Sequence, residues 1–159
     1  MKKILIFGNS GSGKTTLASK LAKEHDLTHL DLDTVCWKSP GVREDLNVSI
    51  EQVEQFIQAN PGWVIEGCYG SLLAEVAQFC DELYFLNPGI EACVENNHQR
   101  PWEPHKYASK EAQDKNLEML QNWVKDYETR NDEFSLSAHQ GLYDNFGGNK
   151  YLISDNKTG

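Results

Sequence analysis

The stretch Gly8-Asn9-Ser10-Gly11-Ser12-Gly13-Lys14-Thr15 matches the pattern G-x-x-x-x-G-K-[ST] at every fixed position. It begins where the apolar run 3–7 ends, and it passes directly into residues 14–24, whose apolar positions recur at helical spacing. Glycines let backbone N–H groups converge on phosphate oxygens without obstruction by Cβ, and the start of a helix adds positive potential. The stretch therefore predicts a phosphate-binding loop between a first strand and a first helix.

This loop assigns chemical roles to individual side chains. Lys14 is predicted to neutralise the β- and γ-phosphates of ATP, and the Thr15 hydroxyl is predicted to ligate Mg²⁺. The predicted ATP-binding residues are consecutive: Gly8, Asn9, Ser10, Gly11, Ser12, Gly13, Lys14, Thr15 and Thr16.

Short apolar strands alternate with longer amphipathic segments along the rest of the chain, which is typical of α/β proteins. The predicted strands are 3–7, 28–32, 63–66, 82–86 and 151–154. The predicted helices are 14–24, one capped by Ser49 with Gln52 in a capping box, 71–79, 90–98 and one capped by Ser109. The pattern predicts a three-layer α/β/α sandwich with a five-stranded parallel sheet in the order 2-3-1-4-5. Right-handed crossovers then put the carboxyl ends of all the strands at one edge, where doubly wound folds bind ligands.

The chain of 159 residues is predicted to form one domain, 1–159, with an acceptor-binding region at about 33–60 and a lid at about 99–107. Its formal charge is −9 and its apolar runs are short, so we expect neither a nucleic-acid nor a membrane partner. The opening residues give no usable signal peptide, and the four cysteines form no Cys-x-x-Cys pair. We expect a cytoplasmic monomer with free thiols and no zinc.

A second polar constellation is His29-Leu30-Asp31-Leu32-Asp33 at the end of the second strand. Strand alternation predicts that Asp31 and Asp33 point to the same side, near the phosphate loop. One carboxylate can hold the water shell of Mg²⁺, and the other can orient or deprotonate an acceptor hydroxyl. The alternative is a solvated strand end at which Asp33 caps the next segment.

Other candidate residues are spread along the predicted ligand-binding edge. Glu66 ends a strand and can act on the metal through water or be a plain strand-end acid, and the adjacent Gly67 lets backbone approach a ligand. Arg43 and Trp37 fall in the predicted acceptor loop. Arg100 falls in the predicted lid, where it can stabilise charge on the transferred phosphoryl group or remain a surface residue. Arg130 can reach phosphate or offset a helix dipole.

These residues together resemble the small P-loop kinases grouped with shikimate, gluconate and nucleoside monophosphate kinases. In shikimate kinases the first aspartate of a similar D-x-D lies near magnesium and the second grips the acceptor, which implies these roles for Asp31 and Asp33. The segment Trp63-Val64-Ile65-Glu66-Gly67-Cys68-Tyr69, with Trp37 before it, resembles adenylate-kinase-like proteins called topology modulation proteins. Shikimate kinases carry three glycines where this chain has Glu66-Gly67-Cys68, so shikimate is not implied as the acceptor.

The leading functional hypothesis is therefore ATP-dependent phosphorylation of a small acceptor, with Lys14, Asp33 and Arg100 as catalytic residues and Thr15 and Asp31 as metal-binding residues. Trp37, Arg43, Glu66, Gly67 and Arg130 are the further candidates for substrate binding. A GTPase-like switch is disfavoured because the chain has no Asn-Lys-x-Asp, and its D-x-x-G motif at 144–147 follows the wrong elements. The alternative is a regulatory ATPase that acts on nucleic-acid topology or another macromolecule.

Overall fold

The structure is a computed structural model that describes residues 1–39, 42–104 and 106–154. Pro40, Gly41 and His105, which belong to the predicted acceptor loop and lid, lie outside the described residues. The strands are β1 (Lys3–Gly8), β2 (Thr28–Asp31), β3 (Trp37–Ser39), β4 (Val42–Arg43), β5 (Trp63–Gly67), β6 (Glu82–Leu86) and β7 (Asn149–Ile153). The helices are α1 (Lys14–His25), α2 (Asp33–Cys36), α3 (Leu46–Ala59), α4 (Gly70–Ala77), α5 (Ile90–His98), α6 (Lys110–Lys125) and α7 (Leu136–Asn145).

The central sheet has five parallel strands in the order β2-β5-β1-β6-β7. Counted along the chain without the strands β3 and β4, this is the predicted order 2-3-1-4-5. Because all the strands run in the same direction, their carboxyl ends meet at one edge, where doubly wound folds bind ligands. The fold therefore brings the ends of β1, β2 and β5 together.

Side chains of β1 alternate between the two faces of the sheet. Leu5 and Phe7 pack into a core with residues of α3, α4 and α7, whereas Ile4 and Ile6 pack against α1 on the other face. All four side chains are fully buried. Helices thus cover both faces, which confirms the predicted three-layer α/β/α arrangement and explains why β1 reads as a continuous apolar run.

Residues 33–48, between the second predicted strand and the helix predicted to be capped by Ser49, are expected to form a loop, and this is wrong in part, because they contain helix α2 and the antiparallel hairpin β3–β4. This hairpin places Trp37 opposite Arg43. The predicted cap at Ser49 is also wrong, since α3 begins at Leu46. Ser49 is buried inside the helix, where its hydroxyl donates a hydrogen bond of 2.7 Å to the carbonyl of Val35 at the junction with α2. The capping box with Gln52 is therefore not formed.

The end of the chain shows one confirmed cap and one helix that the pattern did not predict. The Ser109 side chain accepts a hydrogen bond from the backbone N–H of Ala112 at the start of α6, as predicted. Helix α7 is capped in the same way by Ser135. Within the described residues, no helix combines the length and apolar character needed to cross a membrane.

His139 ties α7 to the rest of the fold. Its ring is fully buried, with Nδ1 2.7 Å from the Tyr127 hydroxyl and Nε2 2.9 Å from the carbonyl oxygen of Cys68. Burial lowers the pKa of His139 to about 4, because the charged imidazolium is poorly solvated there. The residue therefore stays neutral in the folded protein at pH values where an unfolded histidine binds a proton.

This shift predicts acid-sensitive stability. The unfolded chain binds more protons at this residue between its ordinary pKa of 6.5 and about 4, so stability is present above pH 6.5 and is lost as the pH falls to 4. At about 1.36 kcal/mol per pKa unit, the full loss is about 3 kcal/mol. Denaturant unfolding at pH 7.0 and pH 5.0 should show a smaller pH-dependent loss in His139→Gln than in the wild type. The control His25→Gln should keep the wild-type loss, and an equal loss in all three proteins would contradict the assignment.

Candidate nucleotide and acceptor site

The glycine-rich stretch forms the turn from β1 to α1, and its backbone needs glycine at defined positions. Gly11 has φ of 82° and Gly13 has φ of 98°, in the left-handed region that other residues rarely adopt. A Cβ at Gly11 would also collide with the backbone carbonyl of Cys93 on α5. The loop is therefore held in one conformation both by its own dihedral angles and by its contact with α5.

Two asparagines of α5 hold this loop from outside. The Asn96 side chain donates a hydrogen bond of 2.8 Å to the carbonyl of Gly11, and the Asn97 side chain donates one of 3.2 Å to the carbonyl of Ser10. Asn97 is almost fully buried. Both use loop carbonyls as acceptors, so neither occupies a backbone N–H group of the loop. No sequence motif marks these asparagines, and only the fold brings them to the loop.

The loop opens into a cleft of about 590 Å³, within the range of roughly 300–1,000 Å³ that is common for small-molecule sites. Lys14 lines it and donates a hydrogen bond of 2.7 Å to the carbonyl of Asn9. The buried Ser12 hydroxyl in the same wall has no hydrogen-bond partner among the described residues. Arg100 also lines the cleft, with its Nε 3.4 Å from a carboxylate oxygen of Glu103. The cleft thus places two cations around an oxygen-binding loop, which suits a polyphosphate.

Glu66 lies at the end of β5 with only 2% of its surface exposed. One of its oxygens accepts a hydrogen bond of 3.0 Å from the Thr15 hydroxyl, and the other lies 2.7 Å from Nε2 of His29. The hydrogen bond to Glu66 raises the pKa of His29, because the carboxylate favours the charged imidazole. A histidine from β2 and a threonine from α1 therefore satisfy this buried acid.

The donor set at this point consists of oxygens, which fits Mg²⁺. Magnesium keeps several waters and is usually held by one or two carboxylates together with substrate phosphates. Thr15 and Glu66 are already in contact, whereas the contacts of the Asp31 carboxylate are with the backbone N–H of Asp33 and with Lys106. The described residues contain no cluster of three or more His, Cys, Asp or Glu side chains suited to a metal. Glu66 is thus better placed toward Thr15 than Asp31 is.

The two aspartates come together, but not by strand alternation. β2 ends at Asp31, and Asp33 begins α2, with its backbone N–H donating a hydrogen bond of 2.9 Å to the Asp31 side chain. Burial, Asp33 and Glu66 raise the pKa of Asp31. Burial would also raise the pKa of Asp33, but Lys106 and the hydroxyl of Tyr69 outweigh it and lower that pKa. Asp33 is therefore the more firmly ionised of the pair.

A cluster of polar and aromatic side chains surrounds Asp33 and includes two of the predicted substrate-binding residues, Trp37 and Arg43. The Tyr69 hydroxyl donates a short hydrogen bond to Oδ1 of Asp33 and accepts one of 3.1 Å from the Trp37 indole. The guanidinium of Arg43 lies 4.5 Å from the centre of the Tyr69 ring. Trp37 and Arg43 face each other across the hairpin, so the hairpin delivers both to the tyrosine. Within the described part of the chain, Arg43 has no ion-pair partner, so its donors remain available to a ligand.

The remaining predicted residues lie differently. The Arg130 guanidinium stacks 3.9 Å from the centre of the Trp123 ring, with its Nε 3.4 Å from an Asp132 oxygen. Two of its buried nitrogens, Nε and Nη2, make no hydrogen bond to any described residue. Gly67 packs against protein, because a Cβ there would lie 2.8 Å from the side chain of Leu32. The close approach at Gly67 is thus explained by packing between strand and loop.

The parallel sheet, its flanking helices and the loop after β1 define a kinase-like P-loop fold of the α/β class. No family model matches the chain, and no curated protein matches it in sequence. Among solved structures, an unliganded sugar kinase from Janibacter sp. HTCC2649 superposes with a TM-score of 0.55 at 15% identity. The match covers 96% of this chain and 84% of that one. The likeness establishes the shared fold.

The conformation of the loop predicts that Gly11→Ala is destabilising. The added Cβ meets both an unfavourable φ and the Cys93 carbonyl, and strain of this kind costs about 1–3 kcal/mol. Denaturant unfolding should show this loss. Gly147→Ala is the matched control, because a Cβ there has nothing within 4 Å and no unfavourable φ. Equal stabilities for the two variants would show that the loop is not held as described.

Proposed function

We propose that this protein is an ATP-dependent kinase that transfers the γ-phosphoryl group to a small hydroxyl or phosphate acceptor. The observation that carries the proposal is the placement of the loop with Lys14 and Thr15 at the same sheet edge as the side-chain cluster around Asp33. Phosphoryl transfer needs positioning and charge neutralisation more than covalent catalysis, and this edge supplies groups for both. The fold shared with a sugar kinase supports a small-molecule acceptor.

In this proposal the loop backbone and Lys14 bind the phosphates of ATP, and Arg100, which also lines the cleft, offsets charge on the transferred group. Thr15 and Glu66, with Asp31 nearby, would hold Mg²⁺, which neutralises phosphate charge when it is bound. Asp33 accepts a hydrogen bond from the acceptor hydroxyl and orients its oxygen toward the phosphorus. The lowered pKa of Asp33 means that it orients the hydroxyl first and takes its proton only as the new bond forms.

Arg43 supports an acceptor that carries an anionic group. Its guanidinium lies on the ring whose hydroxyl binds Asp33, and the described residues provide no carboxylate partner for it. Arg130 is a second candidate cation for the same purpose, since its buried Nη2 makes no hydrogen bond to any described residue, while its Nε faces Asp132. A sugar acid or a nucleoside monophosphate combines a hydroxyl or phosphate acceptor with such an anion. We propose a monomer in the cytoplasm, where ATP is available and the four cysteines, all free in the structure, stay reduced.

Binding of Mg-ATP should stabilise the protein through Lys14. Saturation at about 100 times the dissociation constant adds about 2.7 kcal/mol to the free energy of unfolding. Thermal unfolding with and without Mg-ATP should show a rise in Tm that Lys14→Ala loses. Lys20→Ala is the matched control, because this lysine is exposed on the same helix and should keep the full rise. A rise of equal size in Lys14→Ala would exclude the assigned role.

Acceptor turnover should depend on Asp33. In a screen of nucleoside monophosphates, sugar acids and shikimate-like polyols, Asp33→Asn should lower kcat/KM for the active acceptor by about 10²-fold or more, because an amide orients the hydroxyl poorly and accepts no proton. ATP affinity should change little. Asp45→Asn, an exposed aspartate in the same region, serves as the control. ATP binding without phosphorylation of any acceptor would instead favour the regulatory ATPase.

A further inference from the structure

The segment between α5 and α6 carries a lysine that no sequence pattern singles out. The Nζ atom of Lys106 lies 2.7 Å from Oδ2 of Asp33, 3.6 Å from Oδ2 of Asp31 and 3.3 Å from Oε2 of Glu103. The side chain is only 20% exposed. A cation of the predicted lid thus reaches across the site and binds the two carboxylates assigned to acceptor and metal.

Two described residues of the lid, Glu103 and Tyr107, form hydrogen bonds with side chains of α6. The backbone N–H of Glu103 donates to the Gln113 side chain at 2.8 Å, and the Asn116 side chain donates to the Tyr107 hydroxyl at 2.9 Å. Lys106 therefore bridges two parts of the fold. One part is the lid with α6, and the other is the end of β2 with the start of α2.

The contacts leave Asp33 able to bind an acceptor. Tyr69 donates to its Oδ1 and Lys106 to its Oδ2, while a carboxylate offers about four lone-pair sites. Two donors from opposite sides fix the plane of the carboxylate, and the free lone pairs remain for a hydroxyl. Lys106 also offsets the repulsion between Asp31 and Asp33, which would otherwise drive the two side chains apart.

Resting on the proposed function, we propose that Lys106 is a positioning residue of the acceptor site, carried by the lid. It holds the Asp33 carboxylate in the orientation that receives the acceptor hydroxyl, and it does so only when the lid lies over the site. Closure of the lid and organisation of the acceptor site are then one event. The two equilibria are thermodynamically linked. The factor by which lid closure tightens binding of the acceptor therefore equals the factor by which the bound acceptor favours lid closure.

Hydrogen exchange of the protein without ligands tests the bridge itself. The backbone N–H groups of Glu103, Lys106 and Tyr107 are hydrogen-bonded within the lid or to α6, so their exchange requires local opening of the segment that carries Lys106, which also breaks its contact with Asp33. Loss of one charge-assisted hydrogen bond should raise their exchange about tenfold in Lys106→Met and equally in Asp33→Asn. The double variant should exchange no faster than either single variant. Lys110→Met, an exposed lysine paired with Asp114, is the matched control and should exchange as the wild type does.

Kinetics with the active acceptor test the positioning. Lys106→Met should lower kcat about tenfold and leave KM for ATP within twofold, because Lys106 contacts Asp33 and is not among the residues that line the nucleotide cleft. Lys106→Arg, which keeps the cation, should recover much of kcat, whereas a merely structural role predicts no such recovery. Turnover of Lys106→Met equal to that of the wild type would overturn the proposal.

The two measurements separate this proposal from the function on which it rests. Additive or unchanged exchange in the variants overturns the bridge between Lys106 and Asp33, whatever the activity. If the double variant exchanges no faster than either single variant but the protein phosphorylates no acceptor, the bridge is supported and the kinase function is overturned.

Discussion

A buried carboxylate constrains the whole ligand-binding edge. Glu66 ends a central strand with 2% of its surface exposed, and an unpartnered charge at that depth would cost several kcal/mol. Its two oxygens are satisfied by Thr15 from the first turn of α1 and by His29 from β2. The acid therefore links the glycine-rich loop, through Thr15, to β2, the strand that precedes Asp33. It also places the Thr15 hydroxyl and a carboxylate oxygen side by side next to the loop, where they would bind a cation.

On the proposed acceptor side, an aromatic residue organises the polar side chains. Tyr69 donates to Asp33, accepts from Trp37 and supports Arg43 on its ring face. Burial and the neighbouring Asp33 raise the pKa of Tyr69, so its hydroxyl remains a donor. Tyr69 thus has the Asp33 carboxylate at its hydroxyl and the Arg43 guanidinium over its ring, in a protein whose net charge is −9. The charges of these neighbouring side chains, rather than the net charge of the protein, therefore decide which ligand the proposed site binds.

The parts of this architecture that sequence predicted are those with a local cause. The parallel strands follow from the alternation of short apolar runs with helices, and the Ser109 cap follows from one hydroxyl and one N–H. The cap at Ser49 failed because a tertiary contact with Val35 uses the same hydroxyl. The hairpin of Trp37 and Arg43 is short and exposed, so it lacks the apolar alternation that marks a strand.

The difference between local and long-range causes also explains why the sequence predicts the proposed nucleotide half of the site better than the proposed acceptor half. The nucleotide half is built from backbone N–H groups, and backbone geometry demands glycine at fixed spacing, which leaves a readable motif. The acceptor half is built from side chains of β2, the hairpin, the end of β5 and the lid, which lie far apart in sequence. Lys106 and Tyr69 meet at Asp33 only because the parallel sheet brings these segments to one edge. In the proposed kinase, specificity for the acceptor can therefore change by substitution in these segments, while the backbone of the glycine-rich loop stays constrained.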